Sequence, residues 1–72
     1  MDEFSKKVGD RIRELRKQKG YKAYEDLAYE ADIPRAQWGR YEKGANLKVN
    51  SLKKVLDALG VTPAEFFSKG FE

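Results

Sequence analysis

The sequence predicts an all-α fold, a compact domain of five short helices, and three observations carry that expectation. Apolar residues recur at helical spacing along the whole chain. Gly20, Gly44 and Gly60 stand where successive apolar stretches stop, as C-terminal glycines do. No stretch alternates like a strand, and the connections run to only two to six residues. The 72 residues suit one domain, residues 1–72, without linkers, repeats or low-complexity tracts. A chain of this size buries only about 60% of its unfolded surface, so stability must come from tight packing and good caps.

The first helix is expected over about Glu3 to Lys19. Phe4, Val8, Ile12 and Leu15 make its apolar stripe, Asp2 or Ser5 caps its start, and Gly20 ends it. The second is expected from Tyr24 to Ala31, with Leu27, Ala28 and Ala31 facing inward and no good N-cap residue before it. Asp32 supplies the turn, because its short polar side chain tolerates a left-handed conformation. Ile33 points inward, and Pro34 opens the third helix, which runs to Lys43 and stops at Gly44. Val49, Leu52, Val55, Leu56 and Leu59 define a fourth helix ending at Gly60. Thr62, Pro63 and Glu65 form a capping box with proline at the first helical position, placing Phe66 and Phe67 on a short fifth helix.

The stretch LAYEADIPRAQWGRYEKG, Leu27 to Gly44, has the layout of a helix-turn-helix unit, about residues 24–44 with its flank. In that arrangement one helix braces a second so that its outer face enters a DNA major groove. Trp38 and Tyr41, three residues apart, read as the inner face of the second helix of the unit rather than as a base-stacking platform. Arg35, Ala36, Gly39, Arg40 and Lys43 fall on the other side.

Charge distribution fits this reading better than the formal net charge of +3 does. Residues 21–33 hold one Lys against four carboxylates, whereas residues 34–48 hold four Lys/Arg against one. A basic block behind an acidic one suits a domain that turns one face to a polyanion, although a 38% charged surface also serves simply to solvate a tiny domain. The acidic run Glu25, Asp26, Glu30 and Asp32 lacks the spacing of a calcium loop. With no Cys and no His there are no disulfides, usual zinc sites or imidazole catalysts. No nucleophile–base set or phosphate-cradling glycine loop is present, so neither an enzyme nor a cofactor is expected. The N-terminal MDEFSKK has no apolar signal core, and no run approaches the roughly 18 apolar residues of a membrane span. A cytoplasmic protein is expected.

The ordered set VGDRIRELRKQKG, the Leu27–Ala28 pair, Ile33, RYEKG at 40–44 and LGVTPAEFF at 59–67 resembles the Cro/C1-type helix-turn-helix family of phage repressors and small bacterial regulators. The similarity covers about residues 8–67. It implies a lambda-repressor-like fold and a sequence-specific regulator, a repressor or autoregulator that acts on the nucleoid and binds double-stranded DNA as a homodimer. It further implies that Arg16 and Glu42 form a largely buried ion pair joining the first and third helices. The chain departs from the family where helix 2 begins. Ala23 and Tyr24 stand in place of the usual Ser/Thr-Gln pair that grips a phosphate, leaving a tyrosine hydroxyl as the available donor.

Arg35 and Arg40 are the expected readers of base edges, since a guanidinium fork matches guanine O6 and N7 together. Gln37 is a further candidate for bases, Ala36 for a thymine methyl, and Gly39 for close backbone approach. Tyr24, Lys43, Asn46 and Lys48 are the expected phosphate contacts, which set register and affinity without reading sequence. A single small module covers little DNA, so two copies on a pseudo-palindromic site are expected. Residues 61–72, with Phe66, Phe67 and Phe71, are the expected dimer surface. The alternative is a protein-interaction module, an antitoxin or adaptor with a protein partner, built on the same fold.

Overall fold

The computed structural model describes residues 2–72, and its helices follow the sequence order closely. They are α1 (Glu3–Gln18), α2 (Glu25–Glu30), α3 (Arg35–Glu42), α4 (Val49–Leu59) and α5 (Pro63–Phe66). No strand occurs among the described residues. No helix there is long and apolar enough to cross a membrane.

Asp2 is the N-cap of α1: its carboxylate accepts from the Ser5 amide at 2.7 Å and from the Ser5 hydroxyl at 3.1 Å. Both bonds favour the charged form, so the Asp2 carboxyl is held below its ordinary pKa. At the far end Gly20 is left-handed, and the amides of Gly20 and Tyr21 return to the carbonyls of Lys17 and Arg16. These are the paired bonds of a Schellman closure. Helix α2 closes identically through Asp32, with the amides of Asp32 and Ile33 on the carbonyls of Tyr29 and Ala28. Asp32 is the only non-glycine residue at positive φ (58°) among those described.

Pro34 stands one position earlier than the sequence suggests. With ψ of 135° it is the N-cap of α3, and its carbonyl accepts from the Gln37 and Trp38 amides. An N-cap residue needs no amide hydrogen bond within the helix, so the missing N–H costs nothing there. At α5 the capping box is complete: Thr62 Oγ1 accepts from the Glu65 amide, and the Glu65 carboxylate accepts from the Thr62 amide at 2.9 Å.

The buried residues form one cluster in which Ile12, Leu27, Ala28, Trp38, Val55 and Phe66 are wholly inaccessible. The most extensive helix contact is α1 against α3, and Gly9 makes it possible. A Cβ built on Gly9 would lie 2.5 Å from the Tyr41 carbonyl oxygen, 2.8 Å from that of Glu42 and 2.9 Å from the Gly44 nitrogen. The backbone of the last turn of α3 therefore rests directly on α1.

Three apolar residues depart from the periodic expectation. Phe4 and Val49, at the first turns of α1 and α4, are 60% and 83% exposed, because each apolar stripe there runs past the core. Of the two phenylalanines expected on the fifth helix, Phe66 ends α5 and closes the core, while Phe67, its C-cap, is 36% exposed. Phe66 is thus removed from any surface role. Phe71 folds back to pack against Phe67 and Phe4, with ring centroids 4.9 and 5.7 Å away.

Candidate nucleic-acid interface

Helix α3 has eight residues, too few to be stable alone, so its orientation has to be imposed by its neighbours. The inner side is fixed by Trp38 and Tyr41 in the core and by an ionic network at Glu42. Arg16 donates through Nε and Nη2 to the two Glu42 oxygens at 2.7 and 3.0 Å, and the Trp38 indole N–H donates to Glu42 Oε2 at 2.7 Å. The remaining Arg16 nitrogen donates to the carbonyls of Tyr21 and Lys22. The paired side chains are only 5% and 7% exposed. One guanidinium therefore ties α1, the α1–α2 connection and the end of α3 together, with every buried charge compensated.

The outer side of α3 presents Arg35, Ala36 and Arg40 to solvent. Among the described residues neither arginine takes part in an ion pair, which leaves both forks open to acceptors on a ligand. Gln37 sits at the edge of this side, half-buried, with its amide donating to the Tyr41 hydroxyl one turn on. Lys43 is the C-cap of α3, Asn46 lies in the following loop and Lys48 is the N-cap of α4; all three are exposed. Lys43 also borders a shallow groove against α1, shared with Asp2, Lys6, Lys7 and Asp10.

Gly39 is not open for the approach of DNA bases. It is buried, and a Cβ there would lie 2.9 Å from the hydroxyl and 3.0 Å from Cζ of Tyr24. The glycine accommodates the Tyr24 ring, which crosses from the start of α2 onto the middle of α3. Tyr24 is accordingly half-buried, and its hydroxyl lies along the helical row of Arg35, Gly39 and Lys43. The apparent gap left by the missing Ser/Thr-Gln pair is thus occupied by an aromatic brace with a polar tip.

Two structural residues were not identifiable from the pattern. Gly9 lies mid-helix with no turn to announce it. Arg11 reads as a surface cation but is 7% exposed, donating to the carbonyls of Phe66 and Glu65 at 2.7 and 2.8 Å and to Glu14 at 2.6 Å. It fastens α5 to α1 across the sequence. The adjacent Arg11–Glu14 pair at i, i+3 is the only local hint of it.

A sequence model of the family described as helix-turn-helix matches residues 12–66. The chain is 30% identical over 69 residues to control protein C.MunI of a Mycoplasma species, covering 94% of this chain and 93% of that one. It is 33% identical over 58 residues to control protein C.BamHI of Bacillus amyloliquefaciens, covering 79% and 72%. Its fold matches the wild-type restriction-modification controller protein C.Esp1396I with a TM-score of 0.87 at 30% identity, over 97% of this chain and 91% of that one. For the controller protein C.AhdI from Aeromonas hydrophila the TM-score is 0.81 at 35% identity, with coverage of 89% and 97%. With an all-helical core, a braced α2–α3 unit and a cationic outer side on α3, the chain belongs to the helix-turn-helix family of the Cro/C1 type and is a sequence-specific DNA-binding transcriptional regulator.

Proposed function

We propose that this regulator is a restriction-modification controller that binds its operator as a homodimer, with α3 of each copy in a major groove. The observation that carries this reading is the division of α3 into a fixed inner side, held by Glu42, Trp38 and Tyr41, and an outer side with unpaired Arg35 and Arg40. Fixed helices read bases well because little entropy is lost when they dock. The controller proteins that match over nearly the whole chain support the biological role. They do not favour the antitoxin or adaptor alternative.

In this reading Arg35 and Arg40 contact base edges, Ala36 meets a thymine methyl, and Gln37 reads a base beside Arg40. Lys43, Asn46, Lys48 and the Tyr24 hydroxyl contact phosphates. Bound to its operator, the dimer represses by occluding a promoter, its own included, on the nucleoid in the cytoplasm. The dimer surface is the apolar strip of Val49, Leu52, Val61 and Phe67, which runs from α4 across the α4–α5 connection to the C-cap of α5. Phe71 lies at its edge beside Phe67. An 83% exposed valine beside a half-exposed leucine and Phe67 is better explained by a partner surface than by solvent.

The test is selection of bound duplexes from a random pool at stated salt. Arg40→Ala is expected to weaken binding mainly to the selected site. Lys43→Ala is expected to weaken binding to every sequence and to lower the salt slope by about one. Equal losses on selected and random DNA for both variants refute the assignment. Leu52→Glu is expected to sediment as a monomer, and a dimeric Leu52→Glu protein rejects the proposed strip.

A further inference from the structure

We propose that Tyr41 is a positioning residue for sequence recognition: its hydroxyl holds Gln37 so that the amide reads adenine at one position of each half-site. The inference rests on the reading of α3 as the base-contacting helix. Tyr41 belongs to the core, 4% exposed, and its ring packs among the buried residues. Its hydroxyl reaches back one helical turn and accepts from Gln37 Nε2. Gln37 is half-buried and stands three residues before exposed Arg40, sharing a helix edge with it between the inner and outer sides of α3.

A primary amide has two N–H donors and a carbonyl with two lone pairs. Spending one N–H on Tyr41 leaves the second N–H and the carbonyl oxygen. That donor–acceptor pair matches N7 and N6 of adenine in the major groove. A free glutamine side chain is among the most costly to immobilise. The hydroxyl, carried by a ring that cannot move in the core, immobilises it before DNA arrives. Among the described residues neither Arg35 nor Arg40 has an ion-pair partner, so Gln37 is the base-reading candidate held in advance.

The experiment compares wild type, Tyr41→Phe, Gln37→Ala, the double variant and Arg40→Ala in the same duplex selection, with thermal melts to confirm folding. Tyr41→Phe keeps the ring in the core and removes only the hydroxyl. It is expected to melt cooperatively and to bind the selected site roughly 3- to 10-fold more weakly, the value of one ordered side chain. Its selected sequences are expected to lose the adenine preference at one position per half-site while keeping the others. Gln37→Ala is expected to relax that same position, and the double variant no further position. If wild type enriches no sequence, or Arg40→Ala relaxes nothing, the base-reading role of α3 fails. If wild type and Arg40→Ala behave as expected but Tyr41→Phe preserves every preference, the positioning role alone is overturned. Uniform weakening of Tyr41→Phe on all sequences overturns it equally.

Discussion

Gly9→Ala separates two physical effects that predict opposite signs. In an exposed helix interior, replacing glycine by alanine stabilises by about 1 kcal/mol, through helix propensity and reduced freedom of the unfolded chain. At Gly9 the new methyl would sit 2.5 Å from the Tyr41 carbonyl oxygen, where ordinary contact begins near 3.4 Å, with the Glu42 carbonyl and Gly44 nitrogen also inside 3.0 Å. The obstructing atoms are backbone, so no rotamer change relieves the clash. The last turn of α3 must move away by roughly 0.9 Å, the difference between those two distances. That displacement falls on the turn carrying Glu42, whose bonds to Arg16 and Trp38 are already 2.7–3.0 Å. Overpacking of this kind costs about 1–3 kcal/mol, and loosening a buried ion pair places Gly9 at or above the upper end. After the propensity gain, a net loss of about 2 kcal/mol is expected, which lowers Tm by roughly 8–16 °C in a domain of this size. Thermal melting followed by circular dichroism measures it. A Gly9→Ala protein melting at or above the wild-type temperature would refute the close α1–α3 approach.

Three further substitutions probe the remaining supports of α3 and the helix ends. Glu42→Ala leaves Arg16 buried without its partner and is expected to cost roughly 3–5 kcal/mol, enough to abolish a cooperative melt in a marginal domain; a Tm within a few degrees of wild type contradicts this. Asp32→Gly removes a side chain from a left-handed position (φ 58°) and is expected to add about 0.5–1 kcal/mol, seen as a higher denaturant midpoint at unchanged slope. The Glu65 carboxyl is held below its ordinary pKa by the Thr62 amide and then the Thr62 hydroxyl. A carboxyl depressed in the folded state stabilises above its unfolded pKa and loses that contribution as pH falls through the folded one. Wild type should therefore lose Tm more steeply than Glu65→Gln between about pH 5 and pH 3, whereas parallel curves would rule out the linkage.

What the sequence discloses here is whatever depends on neighbours within a turn or two. The left-handed closures at Gly20, Asp32 and Gly44 and the Thr62–Glu65 box are local signals, and each occurs where its pattern places it. Burial of Ile12, Leu27, Ala28 and Trp38 follows from periodicity, which works in helix interiors. It fails for Phe4 and Val49, because a first turn extends beyond the elements that could cover it. Long-range contacts leave weaker traces. Gly9 is small because of carbonyls more than thirty residues away, and Arg11 is buried because α5 offers two carbonyls to it. The choice of Phe66 over Phe67 has the same origin: Arg11 grips the Glu65 and Phe66 carbonyls, fixing the rotation of α5 so that Phe66 turns inward.

The interface shows how a departure at one position can be absorbed at another. With the Tyr24 ring lying over the middle of α3, a side chain at position 39 would displace it. A Cβ there would already press on the tyrosine hydroxyl at 2.9 Å. Gly39 costs α3 about 1 kcal/mol of helix propensity, a poor choice for an eight-residue helix considered alone. The cost is offset when the ring covers the glycine and stiffens the α2–α3 angle. Tyr24 and Gly39 are therefore one structural decision made at two positions, and so are Tyr41 with Gln37 and Arg16 with Glu42. A two-turn helix can present Arg35 and Arg40 in a defined orientation because Tyr24 and Arg16 constrain it from two directions, while the Gln37–Tyr41 bond lies within the helix itself.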